Sequence, residues 1–88
     1  MKAVMVVKNQ TDKTRAAETF ISDFNRLTGH VIEVLDPETI PGETFARAYD
    51  ITLYPTLLVI SNDGSVQVMW RGIEEFPLFD ELQGYLTA

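Results

Sequence analysis

Two stretches of the chain, Ala3-Val4-Met5-Val6-Val7 and Thr56-Leu57-Leu58-Val59-Ile60, are almost wholly apolar and rich in β-branched residues. Unbroken runs of that kind predict strands covered on both faces. After the first run come the polar residues Asn9 to Asp12, suited to a loop and a helix N-cap at Thr11 or Asp12. Ala16, Ala17, Phe20, Ile21, Phe24 and Leu27 then recur at helical spacing, and Gly29 supplies the stop. Val31 to Leu35 reads as a second strand, with Glu33 placing it at a sheet edge or on a partly wet face. Asp36-Pro37 ends that strand, because proline lacks the donor a ladder needs. Gly42 to Asp50, with Phe45, Ala46, Ala48 and Tyr49, predicts a short helix.

Asn62-Asp63-Gly64 is a tight-turn signal. The alternation of Val66, Val68 and Trp70 with Gln67, Met69 and Arg71 predicts a half-covered edge strand. Trp70 shares a face with Val66 and Val68, which favours its burial over an exposed binding role. Pro77 is expected in the first turn of a last helix whose core stripe is Phe79, Leu82 and Leu86. The order is β-α-β-α-β-β-α in one α/β domain, residues 1–88. A right-handed crossover makes the first two strands parallel, and the hairpin makes the last strand antiparallel to the third. Setting the two apolar strands side by side gives a four-stranded mixed sheet in the order 2-1-3-4, with helices on both faces.

Composition narrows the function classes. The chain has 88 residues, 45% of them apolar, 13 acidic and 7 basic side chains, one His and no Cys. A domain this size buries roughly 60–65% of its unfolded surface, enough for a core without staples. The net charge of −6 repels nucleic-acid phosphates and anionic membranes, so neither is an expected partner. The absence of cysteine removes disulfides, thiolate catalysis, zinc-thiolate sites and iron-sulfur clusters together. The apolar run near Met1 is shorter than a signal peptide's, and no run approaches the roughly 20 residues that span a bilayer, so a cytoplasmic location is expected.

Tyr49-Asp50-Ile51-Thr52-Leu53-Tyr54-Pro55-Thr56-Leu57-Leu58-Val59 resembles the second half of a thioredoxin-fold domain. In that family a Tyr-x-Ile/Val segment leads to a cis-proline followed by Thr and an apolar strand. The hairpin and Gly72 add to the resemblance, which extends over the whole chain in the minimal, glutaredoxin-sized version of the fold. It implies a cis bond between Tyr54 and Pro55. The departure is as informative: redox members carry Cys-x-x-Cys or Cys-x-x-Ser between the first strand and first helix, where this chain has Asn9-Gln10-Thr11-Asp12-Lys13-Thr14-Arg15. Thr11 and Thr14 stand at the spacing of the missing sulfurs, but a threonine hydroxyl cannot exchange disulfides.

The expected function is therefore a non-redox binding or scaffold domain with a protein or peptide partner and no catalytic residue, metal or cofactor. Its candidate site is Tyr54, Pro55 and Thr56 together with Thr11, Lys13, Thr14 and Arg15. In the family the backbone of the residue before the cis-proline pairs with an extended peptide or with glutathione. The alternative is a transferase-like protein that binds glutathione or another small anion at the first-helix N-terminus, where Lys8, Lys13 and Arg15 surround free N–H groups. Residues 1–30 carry five basic and three acidic side chains and the remainder two and ten, so the only positive region holds that helix end. Against the alternative, Gly72-Ile73-Glu74-Glu75 replaces the acidic-Ser pair that glutathione transferases use for the γ-glutamyl group. His30 stands alone, without partners for a metal set or a catalytic triad. Asp36, Glu38 and Glu43 match no calcium loop and read as a solvated turn. A monomer or weak dimer is expected.

Overall fold

The computed structural model describes residues 1–88. Its strands are β1 (Lys2–Val6), β2 (Ile32–Leu35), β3 (Thr56–Ile60) and β4 (Val66–Arg71), and its helices are α1 (Thr14–Thr28), α2 (Ile40–Ala48) and α3 (Phe79–Thr87). The sheet has the order β2-β1-β3-β4. β1 runs parallel to β2 and antiparallel to β3, and β4 runs antiparallel to β3.

The two apolar runs form the middle of the sheet because both of their faces are covered. On one face Ala3, Met5, Leu57 and Val59 pack with Ala17 and Phe24 of α1 and Leu82 of α3. On the other, Val4, Val6, Leu58 and Ile60 pack with Ala46 of α2 and Ile51. A charge within either apolar run would meet a covered face whichever way it pointed; the one charge in these strands, Lys2, stands at the exposed start of β1 and pairs with Glu33. Aromatic rings tie α1 to α3: Phe20 makes edge contacts with Phe76 and Phe79, both at 5.1 Å, and Phe24 meets Phe79 at 5.4 Å. Trp70 is half-buried, packed edge-on against Tyr85 of α3 at 5.9 Å, so the burial expected of it is partial.

Several expectations are corrected. Neither Thr11 nor Asp12 caps α1; the capping position is Lys13, which has no side-chain cap bond. The reason is a tighter local solution, in which Thr14 Oγ1 accepts the Thr11 N–H at 3.0 Å and Thr11 Oγ1 accepts the Lys13 N–H at 3.2 Å. Leu27 is 62% exposed, off the core stripe. α1 has 15 residues and β2 only four, or about 22 Å against about 13 Å, so the edge strand is too short to cover the whole helix. Gly29 does terminate α1, at φ +77° with its N–H on Asn25 O.

α2 begins earlier than expected, at Ile40, with Pro41 in its first turn and Thr39 Oγ1 accepting the Gly42 N–H at 3.2 Å. The β3–β4 register shifts between Val59 and Ile60 of β3, setting Val66 opposite Ile60 and Val68 opposite Val59 and leaving Gln67 of β4 without a partner. Val66 is thereby turned to the α2 side, away from the face of Val68 and Trp70, because directly opposed residues share a face. Pro77 lies before α3 rather than in its first turn. A 3₁₀ turn, Ile73–Glu75, precedes it, and Phe76 and Leu78 are both extended, at ψ 143° and 155°. Proline disfavours a helical conformation in the residue before it.

The β3–β4 hairpin closes through Ser61 to Ser65, with the Ser61 N–H donated to Ser65 O at 2.9 Å and Gly64 at φ +88°. Asp63 holds this loop: its carboxylate accepts the Ser61 hydroxyl and, at 3.0 Å, the Ser65 N–H. Those bonds, led by Ser61, lower its pKa from 3.8 to about 2. A group whose folded pKa is depressed contributes stability above its unfolded value and loses it as pH falls through the folded one. The hairpin's contribution from Asp63 is therefore complete above about pH 4 and is lost as pH falls to about 2. Carboxyl carbon NMR should place the Asp63 midpoint near 2, and Ser61→Ala should move it up towards 3.8. A midpoint near 3.8 in the unaltered chain would contradict this account of the turn.

Candidate functional site

The register brings one end of each of the four strands to the same edge of the sheet. Val6 stands beside Leu35 and Thr56, and Thr56 beside Arg71. The loop after β1, the turn after β2, the segment before β3 and the turn after β4 therefore converge at the carboxyl ends of the two parallel strands. In open α/β sheets this is where ligands are held, beside the point at which the strand order reverses.

The candidate residues divide into two groups. In the first, Thr11 and Thr14 hydroxyls lie 3.1 Å apart, and Thr14 Oγ1 donates to Lys8 O at 2.7 Å. Both hydroxyls are thus engaged in shaping the loop, which turns through Gln10 at φ +60°. Lys13 Nζ lies 3.6 Å from Glu74 Oε1, across the gap to the turn after β4. Arg15 is exposed and its side chain makes no hydrogen bond or ion pair, so it does not join the cluster.

In the second group, the Tyr54–Pro55 bond is cis. Pro55 is buried and its carbonyl accepts the Gly72 N–H at 2.9 Å, which fastens this segment to the end of β4. Thr56 is fully buried, and its hydroxyl donates to Leu53 O, so it braces the segment from beneath. The Tyr54 ring packs on the α2 side of the sheet, with its hydroxyl 3.4 Å from Ile51 O. The Tyr54 N–H and C=O have no hydrogen-bond partner within the chain.

Three residues outside the expected site, Leu53, Gly72 and Glu74, join the groups. Glu74 pairs with Lys13, and a Cβ placed on Gly72 would lie 3.1 Å from Glu74 Oε2 and 3.4 Å from the half-exposed Leu53 side chain. Lys13, Glu74, Gly72 and Leu53 thus form a continuous rim between the α1 end and the Tyr54 segment. Leu53 is legible as an apolar residue ahead of the proline. The Lys13–Glu74 pairing joins residues far apart in sequence and leaves no local signal.

Asp36 is more than the solvated acid expected. Its carboxylate accepts from Asn9 Nδ2 and from the Glu38 N–H, both at 2.8 Å, while its carbonyl accepts the Thr39 hydroxyl at 2.7 Å. It ties the loop after β1 to the start of α2. Beside it a cavity of about 230 Å³ opens between α1 and β2, lined by Val7, Ile21 and Val34 with Asn9, Thr14, Glu18 and Ser22. No three His, Asp or Glu side chains converge in a way that would hold a metal ion. His30 is half-buried and lies over Phe24, with ring centres 6.1 Å apart. No helix is long and apolar enough to cross a membrane.

This sheet order and the placement of three helices on its two faces define a thioredoxin-like fold. The chain superposes on thioredoxin 1 from Thermosipho africanus TCF52B with a TM-score of 0.68 at 14% identity, over 99% of this chain and 91% of that one. It also superposes on a structure described as a malarial protein with a TM-score of 0.66 at 14% identity, over 97% of this chain and 91% of that one. No family model matches the chain, and no curated protein matches it in sequence. With no cysteine, the fold stands here without any sulfur of its own for thiol–disulfide exchange.

Proposed function

We propose that this thioredoxin-like chain is a non-redox binding domain that holds an extended segment of a partner protein against Tyr54. The observation that carries the reading is the pair of unsatisfied main-chain groups on Tyr54, at the sheet end where four loops meet. Tyr54 is half-buried, and main-chain groups in such places are satisfied by water or by another chain. An extended peptide offers an acceptor and a donor at the spacing such a residue needs, and Leu53 and the Lys13–Glu74 rim supply an apolar and a charged flank.

A small anion at the start of α1 has less support. Thr14 already donates its hydroxyl to Lys8 O, Lys13 faces Glu74, and Asp12 adds a negative charge.

Peptides selected for binding from a random display library provide the test. Replacing Tyr54 by its α-hydroxy acid turns the N–H into an ester oxygen and leaves the ring untouched. The expected result is a loss of about 1 kcal/mol or more of binding energy, roughly five- to tenfold in affinity, with the fold retained. Unchanged affinity in the ester form would refute pairing at Tyr54.

A further inference from the structure

A second surface, on the α3 side of the turn after β4, is built against the ordinary needs of folding. Leu78 occupies the N-cap of α3, makes no side-chain cap bond and is 79% exposed. Ser, Thr, Asp or Asn at that position would satisfy a free N–H of the first turn, and leucine cannot. The residue thus forgoes a cap and exposes a large apolar side chain at once. Breaches of local preference without a structural return are expected chiefly where function requires them. Around Leu78 lies an open groove of about 440 Å³ walled by Pro77, Leu78, Phe79 and Asp80.

The ionisable side chains that flank Leu78 in the sequence are all acidic, and one of them, Asp80, lines the groove itself. Glu74, Glu75, Asp80 and Glu81 are all exposed, and no Lys or Arg follows Arg71 in the sequence. Of the four only Glu74 has an ion-pair partner, Lys13 at 3.6 Å. A second copy of the chain placed on this patch about a two-fold axis would set acid against acid, and an anionic membrane would be repelled in the same way. The complement is apolar at its centre and positive at its margins.

We propose that Leu78 and its acidic surround form a docking surface for a Lys- or Arg-rich amphipathic helix of a partner protein. The apolar face of that helix covers Leu78 and fills the groove, and its basic residues meet Glu75, Asp80 and Glu81. This surface is carried by the approach to α3 and is independent of main-chain pairing at Tyr54.

The probe is a 14-residue peptide of leucine and lysine patterned as an amphipathic helix, with a counterpart carrying glutamate for lysine. Calorimetry at low ionic strength should detect the basic peptide and not the acidic one, with affinity falling steeply as salt is added. Leu78→Ser should weaken binding at least tenfold while the melting temperature holds or rises, since serine supplies the missing cap. Glu75→Lys should reduce both the affinity and its salt dependence. Equal binding by the Leu78→Ser variant would overturn the proposal in favour of unpatterned charge attraction, and no binding at millimolar peptide would overturn it outright. Sedimentation showing a dimer that Leu78→Ser dissolves would also overturn it, by assigning the patch to a second copy.

Discussion

Gly42→Ala is expected to unfold much of the population or to lower stability by about 3 kcal/mol or more, out of the roughly 4–13 kcal/mol that a chain of this length has. A Cβ on Gly42 would lie 1.8 Å from the Asp36 carbonyl oxygen and 2.4 Å from its carbon. Both are main-chain atoms, so no rotamer change relieves the clash. That carbonyl also accepts the Thr39 N–H at 3.0 Å and the Thr39 hydroxyl at 2.7 Å, so moving it breaks the cap of α2. The Asp36 carboxylate in turn holds Asn9, and the disturbance should reach the loop after β1. Urea unfolding measures the loss; a change below about 1 kcal/mol would mean that α2 does not sit this close to the turn. Gly42 is needed for close approach, not for a left-handed backbone, since its φ is not positive.

Phe24→Ala should cost about 3–5 kcal/mol, the range for emptying a fully buried aromatic site. Phe24 is completely covered and meets Phe20, Phe79 and His30 through its ring. Its loss removes one of the two aromatic ties between α1 and α3, leaving that of Phe20, and opens a void in the core that holds Met5 and Leu57. The same unfolding experiment applied to Phe20→Ala should give a smaller loss, because Phe20 is only partly buried. Equal losses would contradict the placement of Phe24 at the centre of this core.

The sheet was legible because its two inner strands are apolar on both faces and its outer strands are not. β3 falls on the residues expected of it, Thr56–Ile60, and the sheet order follows from putting Val4 and Leu58 side by side. Local chemistry with two competing solutions was harder to read. Thr11 satisfies every sequence preference for an N-cap, yet the exchange of bonds with Thr14 moves the cap to Lys13. The bulge that turns Val66 away from Val68 depends on the pairing with β3 and not on any residue of β4. At the candidate site the segment from Leu53 to Thr56 was readable from its resemblance. Glu74 and the Asp36 hub were not, since both act through contacts between distant parts of the chain.

Hydrogen exchange at the Tyr54 amide, measured with and without a selected peptide bound, tests the functional reading most directly. In the free chain that amide has no partner in the protein and should exchange among the fastest of the half-buried residues. Saturating peptide should slow it by an order of magnitude or more, as an amide entering a ladder bond does, with smaller effects at Leu53 and Glu74. A peptide that binds tightly and leaves Tyr54 exchange unchanged would contradict the account.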